Sequence, residues 1–183
     1  MAKKVSLPLT DAAIADLRAG DNVRLTGVMY VARDAAHKRI VEALDRGEKP
    51  PFDLKGQTIY YAGPTPARPG QVIGSFGPTT SGRMDAYSPR LLAKGLKGMI
   101  GKGQRSEAVK EAIKKHRAIY FAAIGGAGAL IAKSVRKSTV IAYPELGAEA
   151  LLRIEVDDFP VIVINDIYGG DFYEIGQAGY RKG

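Results

Sequence analysis

Short apolar runs of strand length alternate along this chain with segments whose apolar residues recur at helical spacing. Residues 22–32 are rich in β-branched residues, and the following segment, 34–46, places apolar side chains on one helical face. The run AIYFAAI at 118–124 is continuously apolar, which is typical of a central strand. This alternation predicts an α/β domain. The strand-rich ending, 138–166, predicts a mixed rather than a purely parallel sheet.

The remaining predicted elements complete the same pattern. We expect helices at 11–18, 88–95, 104–116 and 125–135, and strands at 57–63, 97–101, 138–143, 151–156 and 159–166. No internal repeat and no Ser- or Pro-rich linker divides the 183 residues, a length that suits one well-buried core. The sequence therefore predicts one domain over 1–183, with helices flanking a mixed sheet.

Cysteine is absent from the chain, which excludes a disulfide, a cysteine nucleophile and an iron–sulfur cluster held by the chain itself. Only two histidines occur, His37 and His116, and their spacing suggests no metal site. No apolar run approaches the roughly 20 residues of a membrane span, and the first residues do not resemble a signal peptide. We therefore expect a cytoplasmic protein that holds no metal by itself.

The net charge of +8 is unevenly distributed. Residues 94–117 contain 8 basic and 2 acidic side chains, whereas residues 141–183 contain 3 basic and 8 acidic ones. The basic middle suggests an anionic partner, which could be nucleic acid, an acidic subunit or a small anion. A solvated basic helix explains most of these lysines equally well.

The stretch from 63 to 82 is too long for an ordinary connection, and such stretches are usually functional or disordered. Its apolar residues, among them Ile73 and Phe76, argue against disorder. At its end, GPTTSGRMD (77–85) combines small residues, two threonines and Arg83, which can bind a carboxylate with two parallel hydrogen bonds. The alternative is a turn in which a threonine caps a helix and Arg83 pairs with Asp85.

Two further cations follow predicted strands. Arg33 shares a helical face with His37 and lies at a strand end, where α/β proteins often bind ligands. The alternative is a surface pair of Arg33 with Asp34, and for His37 we favour a purely structural hydrogen bond with the backbone. Lys102 stands between two glycines after another strand. If Arg33, Arg83 and Lys102 converge, they would bind a dianion such as a dicarboxylate.

The segment GPTTSGRMD, with ARDAAHKR before it and MIGKG after it, resembles the β subunit of two-subunit class I fumarate hydratases. It is similar also to the β subunit of L-tartrate dehydratase. The segments AIYFAAIGGAGALIAKSV and GGDFYE also resemble sequences of the same family and occur in the same order along the chain, so the resemblance covers nearly the whole chain. It implies a fold of the swivelling β/β/α type.

The resemblance also implies an activity, a cofactor and a partner. The activity is that of a hydro-lyase that interconverts fumarate and (S)-malate. Its oxygen-sensitive [4Fe–4S] cluster is held by cysteines of a separate α subunit, in an α2β2 assembly, so this chain alone would be inactive. Residue by residue, Arg33, Arg83 and Lys102 fall on contacts to the substrate carboxylates. Thr79 falls on the proposed base that removes the C3 proton.

Two alternatives remain open. The first is the β subunit of L-tartrate dehydratase or of another hydroxy-acid hydro-lyase, because fumarate and tartrate need the same cationic contacts. The second is a non-catalytic module that binds nucleic acid or another anion, suggested by the net charge and a pI of about 9.6. Against the second, no nucleic-acid-binding motif is present and the aromatic residues are not interleaved with the basic run.

Overall fold

The computed structural model describes residues 1–124 and 127–180. These residues form seven strands, six α-helices and two 3-10 helices. The strands are β1 (Lys3–Ser6), β2 (Asn22–Val31), β3 (Thr58–Tyr60), β4 (Gly98–Gly101), β5 (Ile119–Ala122), β6 (Val135–Ala142) and β7 (Leu151–Asn165). The α-helices are α1 (Asp11–Ala15), α2 (Asp34–Asp45), α3 (Ser88–Ala93), α4 (Glu107–His116), α5 (Gly128–Ala132) and α6 (Phe172–Tyr180). The 3-10 helices span Ser81–Met84 and Pro144–Glu149.

The strands form one mixed sheet in the order β1-β2-β3-β4-β5-β7-β6, and β7 also pairs with β2. The strands β1 to β5 pair in parallel, whereas β7 is antiparallel to β2, β5 and β6. The pairing of β7 with both β5 and β2 closes β2, β3, β4, β5 and β7 into a hydrogen-bonded ring. The carboxyl ends of β2 to β4 therefore lie side by side at one edge.

The side chains of these strands alternate between two apolar clusters, as the two-residue period of a strand requires. Tyr60, Ile100 and Phe121 belong to one cluster, which also contains most buried side chains of β7. Their neighbours, including Tyr61 and Tyr120, belong to the other, which the buried faces of α2, α3 and α4 cover. Neighbouring residues of one strand thus pack into different apolar clusters.

The α/β class, the mixed sheet and the flanking helices are confirmed. The predicted apolar face of α2 consists of Ala36, Ile40, Ala43 and Leu44, of which the first three are buried and Leu44 is partly buried. Helix α5 lies within the helix predicted from residue 125, although residues 125 and 126 fall outside the described part of the chain. Strand β1 and helix α6 were not predicted.

The prediction of two separate strands at 151–156 and 159–166 is wrong, because both belong to β7. The intervening Asp157 and Asp158 resemble a turn, but β2 pairs with β7 on both sides of them. The register of β2 against β7 shifts at this point, and Asp158 adopts a positive φ of 58°. The two aspartates therefore form a bulge instead of a turn.

No helix within the described ranges is both long and apolar enough to cross a membrane.

Candidate functional site

Arg33 lies two residues after the end of β2, where the chain passes from the strand into α2. It is the N-cap residue of α2 and keeps an extended backbone. The side-chain stem lies over Gly63, since a Cβ at Gly63 would stand 3.0 Å from Cδ and Nη1 of Arg33. The Nε atom lies 3.7 Å from a carboxylate oxygen of Glu149, too far for a hydrogen bond. Arg33 thus stands at the carboxyl end of β2 with its stem held against the long loop.

Thr79 lies between the ends of β3 and β4, in the last part of the long loop. Its backbone N–H donates to the carbonyl oxygen of Tyr61, the residue after β3, at 2.7 Å. The next residue, Thr80, forms a parallel bridge with Lys102, the residue after β4, and Ser81 N–H donates to the Lys102 carbonyl at 2.9 Å. The loop therefore returns to the sheet as a short strand-like segment.

The expected order of the long loop follows from buried side chains within it. Phe76 is fully buried and Ile73 nearly so, whereas Val72 is exposed. The hydroxyl of Tyr60 donates to the Phe76 carbonyl oxygen at 2.6 Å. Buried contacts therefore fix the loop just before Thr79.

Arg83, in the 3-10 helix Ser81–Met84, forms an ion pair with Asp34, the first residue of α2. This contact contradicts both alternatives from the sequence, the pairing of Arg83 with Asp85 and of Arg33 with Asp34. Asp85 instead accepts hydrogen bonds from Arg105 Nε and the Ser106 N–H, each at 2.7 Å. The threonine-cap alternative is also wrong, because Thr80 makes no side-chain cap hydrogen bond.

Lys102 follows β4 and exposes its side chain. Since β2, β3 and β4 are adjacent and parallel, the structure brings Arg33, Thr79 and Lys102 to one edge of the sheet. Arg83 reaches the same edge through its contact with Asp34.

His37 is fully buried one turn into α2, and its predicted hydrogen bond with the backbone is confirmed. Its Nδ1 lies 2.8 Å from the Arg33 carbonyl oxygen, so Nδ1 carries the proton that is donated there. Burial, with a smaller contribution from the positive charge of Arg105, lowers the pKa of His37 to about 4, although the hydrogen bond with the Arg33 carbonyl and the charge of Asp34 act in the opposite direction. His37 is therefore neutral at pH 7.

Several polar atoms at this edge are buried without a hydrogen bond from any described residue. They are Arg33 Nε, Asp34 Oδ1, His37 Nε2 and Glu149 Oε1. Buried polar groups are nearly always satisfied by protein, water or ligand. Two of these atoms, Arg33 Nε and Glu149 Oε1, face each other at 3.7 Å, and all four keep hydrogen-bonding capacity that a water molecule or a ligand can satisfy.

Sequence reasoning missed three residues of this edge: Asp34 as the partner of Arg83, Glu149 beside Arg33, and Arg105. Glu149 belongs to a segment far from the motifs in sequence. Arg105 lies only two residues beyond MIGKG, but its partner Asp85 is 20 residues away, so no local spacing indicates the contact. Their neighbourhood arises only when the 3-10 helix Pro144–Glu149 packs on α2 and when Arg105 folds under the loop. For Asp34, the sequence indicates only a carboxylate that is favourably placed in the first turn of a helix, and nothing in the local sequence indicates that its partner is Arg83.

The chain has no side chain suited to hold an iron–sulfur cluster, because it contains no cysteine. The described residues also contain no group of three or more His, Asp or Glu side chains positioned to bind a metal ion.

The fold and these residues together are those of an α/β domain with a candidate anion-binding edge. A family model described as Fumarase C-terminus matches residues 1–176. The chain therefore belongs to the fumarase C-terminal family.

Similar proteins include both hydratases and dehydratases. The chain is 46% identical over 156 residues to "Fumarate hydratase 2" of Leishmania major, which covers 84% of this chain and 28% of that protein. It is 45% identical to "Fumarate hydratase class I, aerobic" of Salmonella typhimurium, over 84% of this chain and 27% of that protein. It therefore spans little more than a quarter of these relatives.

A third relative has nearly the same length as this chain. "Putative L(+)-tartrate dehydratase subunit beta" of Methanocaldococcus jannaschii is 39% identical over 181 residues, which cover 95% of this chain and 93% of that protein. The name of this relative describes one subunit of an enzyme.

Proposed function

We propose that this chain is the β subunit of a two-subunit iron–sulfur hydro-lyase that interconverts fumarate and (S)-malate. The observation that carries the proposal is the meeting of Arg33, Thr79 and Lys102 at the ends of three adjacent parallel strands, with Arg83 tied to the same edge. The similarity to class I fumarate hydratases supports this reaction class.

The three cations suit a C4 dicarboxylate. Each arginine can offer two parallel N–H groups to one carboxylate, whereas the lysine adds a point charge. In this proposal Arg33, Arg83 and Lys102 hold the two carboxylates of the substrate. Lys102 and Arg83 are exposed, so a substrate can reach both side chains.

Thr79 would transfer the proton. In the direction from malate to fumarate, the Thr79 oxygen takes the proton from C3, the C2 hydroxyl leaves, and the electron pair of the C–H bond becomes the new double bond. An ordinary threonine hydroxyl is a very weak base, so its alkoxide needs positive charge nearby. Arg83 and Lys102 would supply that charge and would also stabilise the negative charge that builds up at the adjacent carboxylate.

The [4Fe–4S] cluster in this proposal belongs to a cysteine-bearing α subunit, in an α2β2 assembly. When bound there, the cluster supplies Lewis-acid chemistry for the departing hydroxyl. The chain described here contributes the carboxylate contacts and the proton transfer.

Reconstitution tests this proposal. The chain is expressed with the candidate α subunit from the same genome, the cluster is rebuilt without oxygen, and fumarate and tartrate are assayed separately. We expect fumarate hydration that requires both chains and is lost in air. A fully loaded complex that is inactive on both substrates would overturn the proposal.

The M. jannaschii relative favours tartrate as a second candidate substrate, because this chain matches nearly its full length. Dehydration of tartrate without activity on fumarate would keep the same residue roles and change the substrate. Binding to nonspecific DNA, measured against salt concentration, tests the remaining alternative, since a nucleic-acid-binding module requires a steep salt dependence.

A further inference from the structure

A network of buried polar side chains lies beneath the candidate site. Its centre is Arg105, which is 4% exposed. Besides its bond to Asp85, its guanidinium donates to the Ser88 hydroxyl at 2.7 Å and lies against the rings of Tyr61 and Tyr120. A guanidinium in such a place loses its hydration, so it must be compensated by good partners.

Tyr120, on β5, joins the two segments that carry the candidate residues. Its hydroxyl oxygen lies 2.8 Å from both the Ser81 hydroxyl oxygen and the Gly103 carbonyl oxygen. Because a carbonyl only accepts, the phenol proton is donated to Gly103 and the Ser81 hydroxyl donates to the phenol oxygen. Ser81 is two residues from Thr79, and Gly103 follows Lys102.

One segment carries Thr79 and Arg83, and the other carries Lys102. Hydrogen bonds to the buried layer hold all three residues. Thr79 is fixed through the backbone of Tyr61, Arg83 lies between Ser81 and the anchored Asp85, and Lys102 is fixed through its own carbonyl and through Gly103. The two segments are also closely packed against each other, because a Cβ at Gly101 would stand only 1.9 Å from the Ser81 hydroxyl oxygen. They therefore have little room to move relative to one another.

We propose that Tyr120 and Arg105 are positioning residues, which set the separation between Thr79 and Lys102 without touching the substrate. This inference rests on the proposed function for its catalytic consequence. The physical reason is that transferring a proton requires the reacting groups to be aligned, and a displacement of about 1 Å can cost about 100-fold in rate.

The substitution Tyr120→Phe tests the proposal with the least disturbance. It keeps the buried ring, removes only the hydroxyl, and leaves Gly103 and Ser81 without their common partner. In the reconstituted complex we expect kcat to fall about 10- to 100-fold, with a smaller change in KM. The matched control is Ser134→Ala, which also removes a buried hydroxyl, one that donates to Ile131 at 2.7 Å. The control should retain its kcat.

A second readout does not depend on activity. Hydrogen exchange at the Ser81 amide reports its bond to the Lys102 carbonyl, and Tyr120→Phe should accelerate this exchange at least about tenfold in the full chain. Ser134→Ala should leave it unchanged. Arg105→Lys, which keeps the charge but not the planar donors, should accelerate the same exchange.

The outcomes separate this inference from the proposed function. If the wild-type complex is inactive, the proposed function fails, and exchange at Ser81 alone decides whether Tyr120 positions the two segments. If the wild type is active and Tyr120→Phe keeps its kcat within about twofold, positioning by Tyr120 is overturned. An equal loss of kcat in Ser134→Ala would mean that removing a buried hydroxyl lowers kcat through general destabilisation. That result would also overturn positioning by Tyr120.

Discussion

Asp34 forms an ion pair with Arg83, and in the sequence it directly follows Arg33. One carboxylate thus connects two candidate substrate-binding arginines from distant segments. As the first residue of α2, Asp34 also has a favourable position at the helix N-terminus, where its negative charge is stabilised. The pair fixes Arg83 against α2 and so determines where its free N–H groups point.

Replacing Asp34 with asparagine should loosen Arg83 without unfolding the chain. The pair is partly exposed, with 54% of the Arg83 side chain accessible, so little stability depends on it. We expect KM for the dicarboxylate to rise about tenfold, measured by steady-state kinetics of the reconstituted complex. Asp45→Asn is the matched control, because Asp45 pairs with Arg90 at the other end of α2. Equal KM values for the two variants would contradict the role of Asp34.

Arg83→Ala should abolish turnover and leave the chain folded. Removing a preorganised contact to developing charge typically costs about 100-fold or more in rate. The measurement is kcat/KM of the complex together with the circular dichroism of the chain. Arg90→Ala, which removes a similarly exposed arginine, should keep full activity. Full activity of a folded Arg83→Ala complex would refute the assigned site.

Gly101→Ala should displace the segment that carries Thr79. The added methyl group would clash with the Ser81 hydroxyl oxygen and approach Tyr61 Cδ2 to 2.9 Å, both in the buried layer. We expect a loss of about 1–3 kcal/mol in the free energy of unfolding, as for other overpacked sites, and a larger proportional loss of kcat. Urea unfolding and kinetics measure the two effects. Gly176→Ala has open space in α6, so it should leave kcat unchanged and should not destabilise the chain, since alanine favours a helix over glycine by up to about 1 kcal/mol. An unchanged stability and kcat in Gly101→Ala would contradict the close packing.

The buried His37 should make stability depend on pH. Its folded pKa of about 4 lies below the ordinary value of 6.5, so between these values the unfolded chain binds more protons. The free energy of unfolding therefore falls as pH drops from about 6.5 to about 4, by a total of about 3 kcal/mol from this group. Urea unfolding at several pH values measures the slope. His37→Gln should flatten it in this range, whereas His116→Gln should not, and equal slopes in all three proteins would refute the assignment.

Lys110 should stabilise the fold through Asp171, which is 5% exposed. Burial alone would raise the pKa of Asp171, but hydrogen bonds with Lys110 and Asn165 hold it below its ordinary value. Lys110→Met would leave the carboxylate without its cation, so we expect a loss of about 2–3 kcal/mol in the free energy of unfolding. Lys114→Met removes only an exposed pair with Glu111 and should cost less than about 1 kcal/mol. Similar losses in urea unfolding would contradict the prediction.

The local spacing of apolar residues predicted the secondary structure correctly where an element buries one of its faces. The spacing of Ala36, Ile40 and Ala43 correctly predicted α2, and the apolar run around Phe121 correctly predicted β5. The local spacing failed where pairing with a neighbouring strand decides the conformation of a segment. Asp157 and Asp158 have the composition of a turn, but β2 holds both sides of them in one strand.

The sequence by itself determined the α/β class, most of the helix and strand segments, and the positions of Arg33 and Lys102 close behind strands, because these follow from local periodicity. Only the tertiary structure decided the partners of these residues. Asp34 pairs with Arg83, Asp85 with Arg105, and Tyr120 joins Ser81 to Gly103. Such contacts depend on how parallel strands stack side by side and on which loop returns to which strand end. Those relationships connect residues far apart in the chain, so no local spacing encodes them.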